Sequence, residues 1–221
     1  MSKICEILRA NLIKTVYFNF RVLPFHQAIR FPFLIYRHVY LKSLSGKIIF
    51  TVPVHSGMAK VGGVRLGTQV ASNNNTVFGI DGTLVLNGSL NIGSGTKIGV
   101  GRDGKLVLGK NFNVTGASEI ICDKEIVFGE ECLLSWDILI MDTDFHPIFD
   151  GQGELLNPQK SIHIGNNVWI GCRTTILKGV SIADNSVIAS NSTIRKDCEK
   201  ASCLYGDGAK LLKESIIWRK K

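Results

Sequence analysis

Ile164-Gly-Asn-Asn-Val-Trp-Ile-Gly-Cys-Arg-Thr-Thr-Ile-Leu-Lys-Gly-Val-Ser-Ile-Ala-Asp-Asn-Ser-Val-Ile188 is the stretch that decides the fold. Isoleucine recurs at 164, 170, 176, 182, 188 and then 194 without a slip. A second column stands two residues earlier: Ile162, Val168, Thr174, Val180, Ser186 and Ser192, all small or β-branched. Six is not a helical period. It is a multiple of the strand's two-residue alternation, so both columns face inward from short strands while the residues between them turn corners. Three hexapeptides per turn make a triangular prism whose turns stack at about 4.8 Å and together bury a core that no single repeat could bury.

The count carries backward in three shifted registers: Phe128, Leu134, Ile140 and His146; Leu108, Val114, Ile120 and Ile126; Leu86, Ile92 and Ile98. Each shift needs an insertion, and Gly-Arg-Asp-Gly at 101–104 supplies turn chemistry for one of them. The repeat therefore spans about residues 60 to 200. An antiparallel sandwich or barrel would show turns every ~8 to 12 residues and variable loops, which six evenly spaced isoleucines do not fit. Periodicity does not give the hand of the coil, and parallel crossovers are normally right-handed.

A chain of 221 residues without a Ser/Gly/Pro-rich or charge-rich linker reads as one structural domain with an N-terminal extension. Hydrophobic residues reach 45%, yet no uncharged apolar run approaches the roughly 18 to 20 residues that cross a bilayer. Met1 to Arg9 carries Lys3, Glu6 and Arg9 and lacks the order of a secretory signal, so a cytoplasmic location is expected. Six cysteines form no C-x-x-C pair and no zinc spacing; no metal site is expected, and the thiols read as reduced. The formal charge of +8 suits anionic partners. A nucleic-acid role would need a clustered basic face with stacking aromatics, of which the N-terminal segment offers only a faint version.

Three segments carry a resemblance: the quoted stretch with its Asn-Val-Trp-Ile-Gly core, Asp144-Phe-His-Pro147, and Tyr205-Gly-Asp-Gly-Ala-Lys-Leu-Leu-Lys213. They resemble the hexapeptide-repeat acyltransferases, in particular the maltose and galactoside O-acetyltransferases and relatives that modify capsular or lipopolysaccharide sugars. The resemblance covers about residues 60 to 215. It implies a left-handed parallel β-helix, all-β in class, assembled as a homotrimer with acetyl-CoA in the groove between subunits and a sugar hydroxyl as acceptor. Asp207-Gly208 replaces the family's Asn-Pro, and Ala189-Ser-Asn-Ser192 stands for its Gly-Ala-Gly-Ser, which puts Ser190 on the coenzyme side.

Acetyl transfer from a thioester needs a base for the alcohol proton, and histidine suits neutral pH. His146 falls in the apolar column, just before a loop at 147–161 that breaks the repeat, and matches the family's catalytic histidine segment. Asp144 falls two residues earlier, in the small-residue inward column. It either holds the imidazole tautomer, or Asp142 or Asp144 accepts backbone N–H bonds in a turn. The resemblance puts an oxyanion donor at the backbone amide of Cys172. Arg195, Lys196, Lys210 and Lys213 are the cations available to the coenzyme phosphates. Trp169, outward beside Val168, lines the coenzyme groove or packs on the next subunit. Asn111, in Asn-Phe-Asn, resembles a sugar-contacting segment of the galactoside enzymes.

Residues 1 to about 45 are aromatic and basic, with Pro24 and Pro32 limiting helices to short pieces. This segment either caps the open end of the coil or lies on an anionic membrane surface. The expected organisation is an extension at 1–59, the β-helix at 60–203 and a coenzyme-side segment at 204–221. N-acetylation of an amino sugar would use the same base, and a non-catalytic scaffold would need neither the histidine segment nor the basic end. A γ-type carbonic anhydrase would need a third histidine beside His146 and His163.

Overall fold

A corner at every sixth residue requires a backbone conformation that most side chains avoid, and the sequence supplies it on schedule. In the computed structural model, which describes residues 10–63 and 75–220, Asn167, Arg173, Gly179, Asn185 and Asn191 have φ of 50, 58, 82, 58 and 60°. Asn and Gly reach this left-handed region at least cost, and they hold four of these five corners. Short strands join the corners and form sheets of nine, seven and six strands among the described residues, parallel throughout except for the antiparallel last strand, Leu211–Lys213. The first face runs from Phe33–Ile35 to Leu211–Lys213, the second from Val39–Leu44 to Thr193–Ile194, and the third from Lys47–Phe50 to Ser181–Ile182. The chain is a left-handed parallel β-helix.

The inward columns are those counted in the sequence: Ile164 through Ile194, with Val168, Thr174, Val180, Ser186 and Ser192, are all buried. Each fully buried isoleucine contributes about 1.5 to 3 kcal/mol relative to an exposed one. In the C-terminal part each turn takes 18 residues, since Trp169 pairs with Val187 and Thr175 with Thr193. The middle turns take 20 or 22, as in Asn113 with Leu133 and Lys97 with Glu119, and the turn that carries the 143–161 insertion takes 36, as in Leu133 with Trp169. The 101–104 turn lies between strands Lys97–Val100 and Lys105–Leu108.

The coil begins well before residue 60. Phe33 pairs in parallel with Ala59, Val39 with Thr76 and Lys47 with Thr83, so the segment expected outside the prism forms its first turn. Corners of unequal length there hide the six-residue count. At the other end Leu204–Tyr205 adds a strand beside Val187–Ile188, so the coil also continues past 203.

The extension that remains folds over the open end. Helix α1 (Leu12–Val22) starts at Asn11, whose side chain accepts from Lys14 N at 2.9 Å, and α2 (Phe25–Ala28) follows Pro24. Asn19 donates to Phe33 O at 2.9 Å and accepts from Phe33 N at 3.1 Å, while Thr15 Oγ1 accepts from Ile35 N at 3.0 Å. Two polar side chains thus satisfy the free edge of the first strand, which would otherwise be a template for another chain. Phe18 plugs the end of the core, with its ring 4.9 Å from Phe33 and 5.8 Å from Phe78.

Candidate active site

Asp142 faces inward just before the chain leaves the coil. It is fully buried, and its carboxylate accepts from Asp123 N at 2.8 Å and Lys124 N at 2.9 Å. Of the two turn-acceptor candidates, Asp142 plays the part. His146 and Asp144 do not continue the inward columns: both are exposed. The reason is that the repeat breaks at 143, where the chain leaves the prism as a hairpin arm. Its two sides are joined by the Phe149–Leu155 bridge and by Leu156 N donating to Ile148 O at 2.8 Å.

Asn157 ties the root of this arm. Its Nδ2 donates to Asp144 Oδ2 and to the carbonyl of His146, both at 2.9 Å, and its Oδ1 accepts from Ile148 N at 2.6 Å. Lys178, on the coil below, donates to Asp144 Oδ2 and to Asn157 O. Lys178 first, then Asn157, holds the Asp144 carboxyl below its ordinary value, so Asp144 is ionised and the tie intact at neutral pH. Asp144 is therefore engaged with Lys178 and Asn157, and its contact with His146 is through its backbone oxygen, which accepts from His146 N at 2.7 Å. Of the two alternatives for Asp144, the carboxylate–imidazole pair is not formed among the described residues. Sequence reasoning missed Asn157 and Lys178; the only local signal was the Asn157-Pro158 turn dipeptide.

Cys172 and Ser190 occupy the same corner one turn apart, between the first and second faces, and Cys172 Sγ lies 3.4 Å from Ser190 Oγ. Their neighbours Gly171, Arg173, Ala189 and Asn191 all donate to backbone carbonyls, but the N–H groups of Cys172 and Ser190 donate to no acceptor among the described residues. A Cβ at Gly171 would stand 2.6 Å from Ser190 N, so only glycine leaves this corner open. Cys172 is partly exposed, whereas Cys122, Cys132, Cys198 and Cys203 are buried; Cys5 lies outside the described residues. Burial pushes Cys132 and Cys198 up to about 12 and raises Cys122 further, with Asp142 adding to it. In a Cys5→Ser background, iodoacetamide at neutral pH should label Cys172 and reach the other four only after unfolding, as read by peptide mass mapping.

Trp169 faces outward and has partners within its own chain. Its indole N donates to Ser135 Oγ at 3.1 Å, and its ring lies 5.9 Å from Trp218 of the chain's own C-terminal tail, which is anchored by Trp218 Nε1 to Asn167 O at 2.7 Å. Asn111 stands at a different corner from His146 and borders a groove of about 420 Å³ with His55, Asn91 and Glu131; its amide is bonded to Ser89 and Glu131. Arg195, Lys196, Lys210 and Lys213 are exposed on the last turns and form no ion pair among the described residues. Asp207 Oδ1 accepts from Thr193 N at 2.7 Å, which fixes the segment bearing Lys210 against the second face. Among the described residues no group of three or more His, Cys, Asp or Glu is placed to hold a metal ion.

The family described as Bacterial transferase hexapeptide (six repeats) matches residues 161–196. The chain carries this hexapeptide repeat. The hexapeptide chain is 32% identical over 116 residues to the polysialic acid O-acetyltransferase of Escherichia coli O1:K1 / APEC, covering 52% of this chain and 38% of that protein. It is 32% identical over 110 residues to the galactoside O-acetyltransferase of Escherichia coli strain K12, covering 48% and 53%. It thus spans about half or less of the length of these relatives. The crystal structure of the polySia-specific acetyltransferase NeuO is similar to it over 83% of this chain and 90% of that one, at 26% identity and a TM-score of 0.56.

Because Asn157 fixes the backbone on both sides of the arm's root, Asn157→Ala should free His146 O and Ile148 N together. On the acetyl-transfer reading proposed below, turnover should fall about tenfold in kcat with KM for acetyl-CoA nearly unchanged, as expected when a group is misplaced and not removed. Asn157→Asp keeps the acceptor for Ile148 N but loses the donor and sets a second carboxylate beside Asp144, so it should not restore the rate.

Proposed function

We propose that this protein moves an acetyl group from acetyl-CoA to a hydroxyl of a sugar, a unit of a surface polysaccharide, by direct transfer with His146 as general base. The observation that carries the reading is an exposed histidine held at the root of an arm, in a coil that also presents unpaired backbone N–H groups at Cys172 and Ser190. The two relatives' names, both sugar O-acetyltransferases, support the same acceptor class.

The open corner at Gly171 and the unpaired cations beyond it suit a thin ligand with a phosphate end. Bound acetyl-CoA would supply the acetyl group as a thioester. His146 takes the proton from the attacking hydroxyl as its oxygen bonds to the carbonyl carbon, and returns it to the departing sulfur as the C–S bond breaks. The Cys172 N–H donates to the carbonyl oxygen while negative charge gathers there. Ser190 N–H, Arg195, Lys196, Lys210 and Lys213 hold the coenzyme, and Asn111 the acceptor. Asp144 acts in this scheme by holding the arm and not by touching the imidazole.

His146 leaves the coil at the corner after the second face and Cys172 at the corner before it. One chain therefore keeps base and oxyanion donor apart, and a site that uses both supports a homotrimer with active sites between subunits. The exposed apolar arm residues Phe145, Ile148, Phe149, Leu155 and Leu156 suit burial against a neighbouring copy. No described helix is long and apolar enough to cross a membrane; the reading places the protein in the cytoplasm, with peripheral membrane contact through residues 1–45.

The test is release of free coenzyme A thiol from acetyl-CoA across a panel of sugars, amino sugars and sugar oligomers. Acceptor-dependent release with an ester product supports the proposal. An amide product moves it to amino-sugar N-acetylation, and acetyl-CoA binding without turnover on any acceptor points to a binding scaffold.

A further inference from the structure

Helix α1 buries only Thr15, Phe18 and Asn19 and leaves most of its apolar residues outside. Its polar residues Thr15 and Asn19 point into the protein, where they are fully used by the first strand. Its outer face is apolar: Leu12, Ile13, Val16, Tyr17 and Phe20 are exposed, Ile13 by 83%. Helix α2 extends the patch with Phe25, 72% exposed, whose ring lies 6.0 Å from Phe20, and Ile29 continues it. A helix that spends its polar side chains inward and presents its aliphatic side chains outward is built for a surface other than water.

The charge around this patch is of one sign. From Ala10 to Lys60 the sequence holds seven Lys and Arg and neither Asp nor Glu; the first acidic residue after Glu6 is Asp81. Arg21 and Arg30 flank the apolar residues directly, and with Arg37 they are exposed and form no ion pair among the described residues. We propose that the capped N-terminal end of the coil, the outer faces of α1 and α2 with their cationic rim, docks on an anionic lipid bilayer. Aliphatic and aromatic side chains enter the headgroup boundary while the flanking guanidinium groups meet acidic headgroups. A second copy docked end to end would set these cations against themselves, and a nucleic acid would leave Leu12, Ile13, Val16 and Ile29 without a partner. The inference gives a surface to the peripheral contact named above. It does not depend on acetyl transfer, because vesicle binding is read without coenzyme.

The experiment is co-sedimentation of the full chain with vesicles of phosphatidylcholine alone and of phosphatidylcholine with phosphatidylglycerol. Binding should be confined to the phosphatidylglycerol vesicles and weaken with salt. Ile13→Asp and the Arg21→Glu/Arg30→Glu pair should each lower it at least about tenfold, with thermal unfolding and turnover of a soluble acceptor unchanged, since these side chains are exposed and remote from His146. Equal binding of wild type and variants, or no binding to either vesicle, overturns the proposal. So does lipid-free self-association abolished by Ile13→Asp, which would make the patch a subunit contact, or selective capture of an oligonucleotide.

Discussion

Replacing His146 by alanine should lower acetyl transfer by about 10²-fold or more, with kcat carrying the loss and the coil left as stable as before. The side chain is exposed on the arm, and only the backbone of His146 takes part in the tie to Asn157 and Asp144. Removing the imidazole therefore opens no cavity and orphans no hydrogen bond, so stability and acetyl-CoA affinity serve as controls. The coenzyme A thiol assay and a denaturation curve on the same preparation separate the outcomes. If the variant turns over at the wild-type rate, the base lies elsewhere; if it also unfolds early, the arm has a structural part that its exposure does not suggest. Asn157→Ala, which leaves the imidazole but loosens its seat, should fall between the two.

The largest effect on stability should come from a single methyl group at Gly109. A Cβ there would lie 2.0 Å from the carbonyl oxygen and 2.2 Å from the carbonyl carbon of Gly129, one turn below. Both contacts are to backbone, so no side chain can swing aside, and successive turns must part to admit the methyl. Gly109→Ala should cost about 3 kcal/mol, the upper part of the overpacking range, and lower Tm by about 6 to 12 °C. Gly99 is the control. It sits in strand Lys97–Val100 with nothing within 4 Å of an added Cβ, and Gly99→Ala should leave Tm unchanged or raise it slightly.

The C-terminal coil was legible because each of its turns spends 18 residues on three equal hexapeptides, so Ile164 to Ile194 fall in one column and the corners in another. The first turn was not, because Val39 meets its partner Thr76 only after a corner and loop of irregular length, and a period cannot be counted through those. His146 was misplaced for a related reason. Alternation correctly brings Asp142 inward, but a hydrogen-bonded hairpin then takes over, and nothing in the column says where that exchange occurs. Asn157, Lys178, Thr15 and Asn19 act through partners that are close only in space, so a residue-type reading had no means of singling them out. Trp169 could be read as outward but not as lying beside Trp218, which is far from it along the chain.

That tail bears on how the molecule holds together as a whole. Stacked-repeat proteins are nearly one-dimensional: each turn knows only its neighbours, and the ends can peel away by themselves. Here Ile216 N is bonded to Ser202 O, Trp218 to Asn167 O, and Lys220 to the carbonyl of Asn111, 109 residues back. The stretch 216–220 runs back across several rungs that precede it in the chain. It works as a clasp, coupling rungs that share no direct contact, so that fraying near residue 205 is felt at the middle and the stack melts more as a unit than as a row of separate turns.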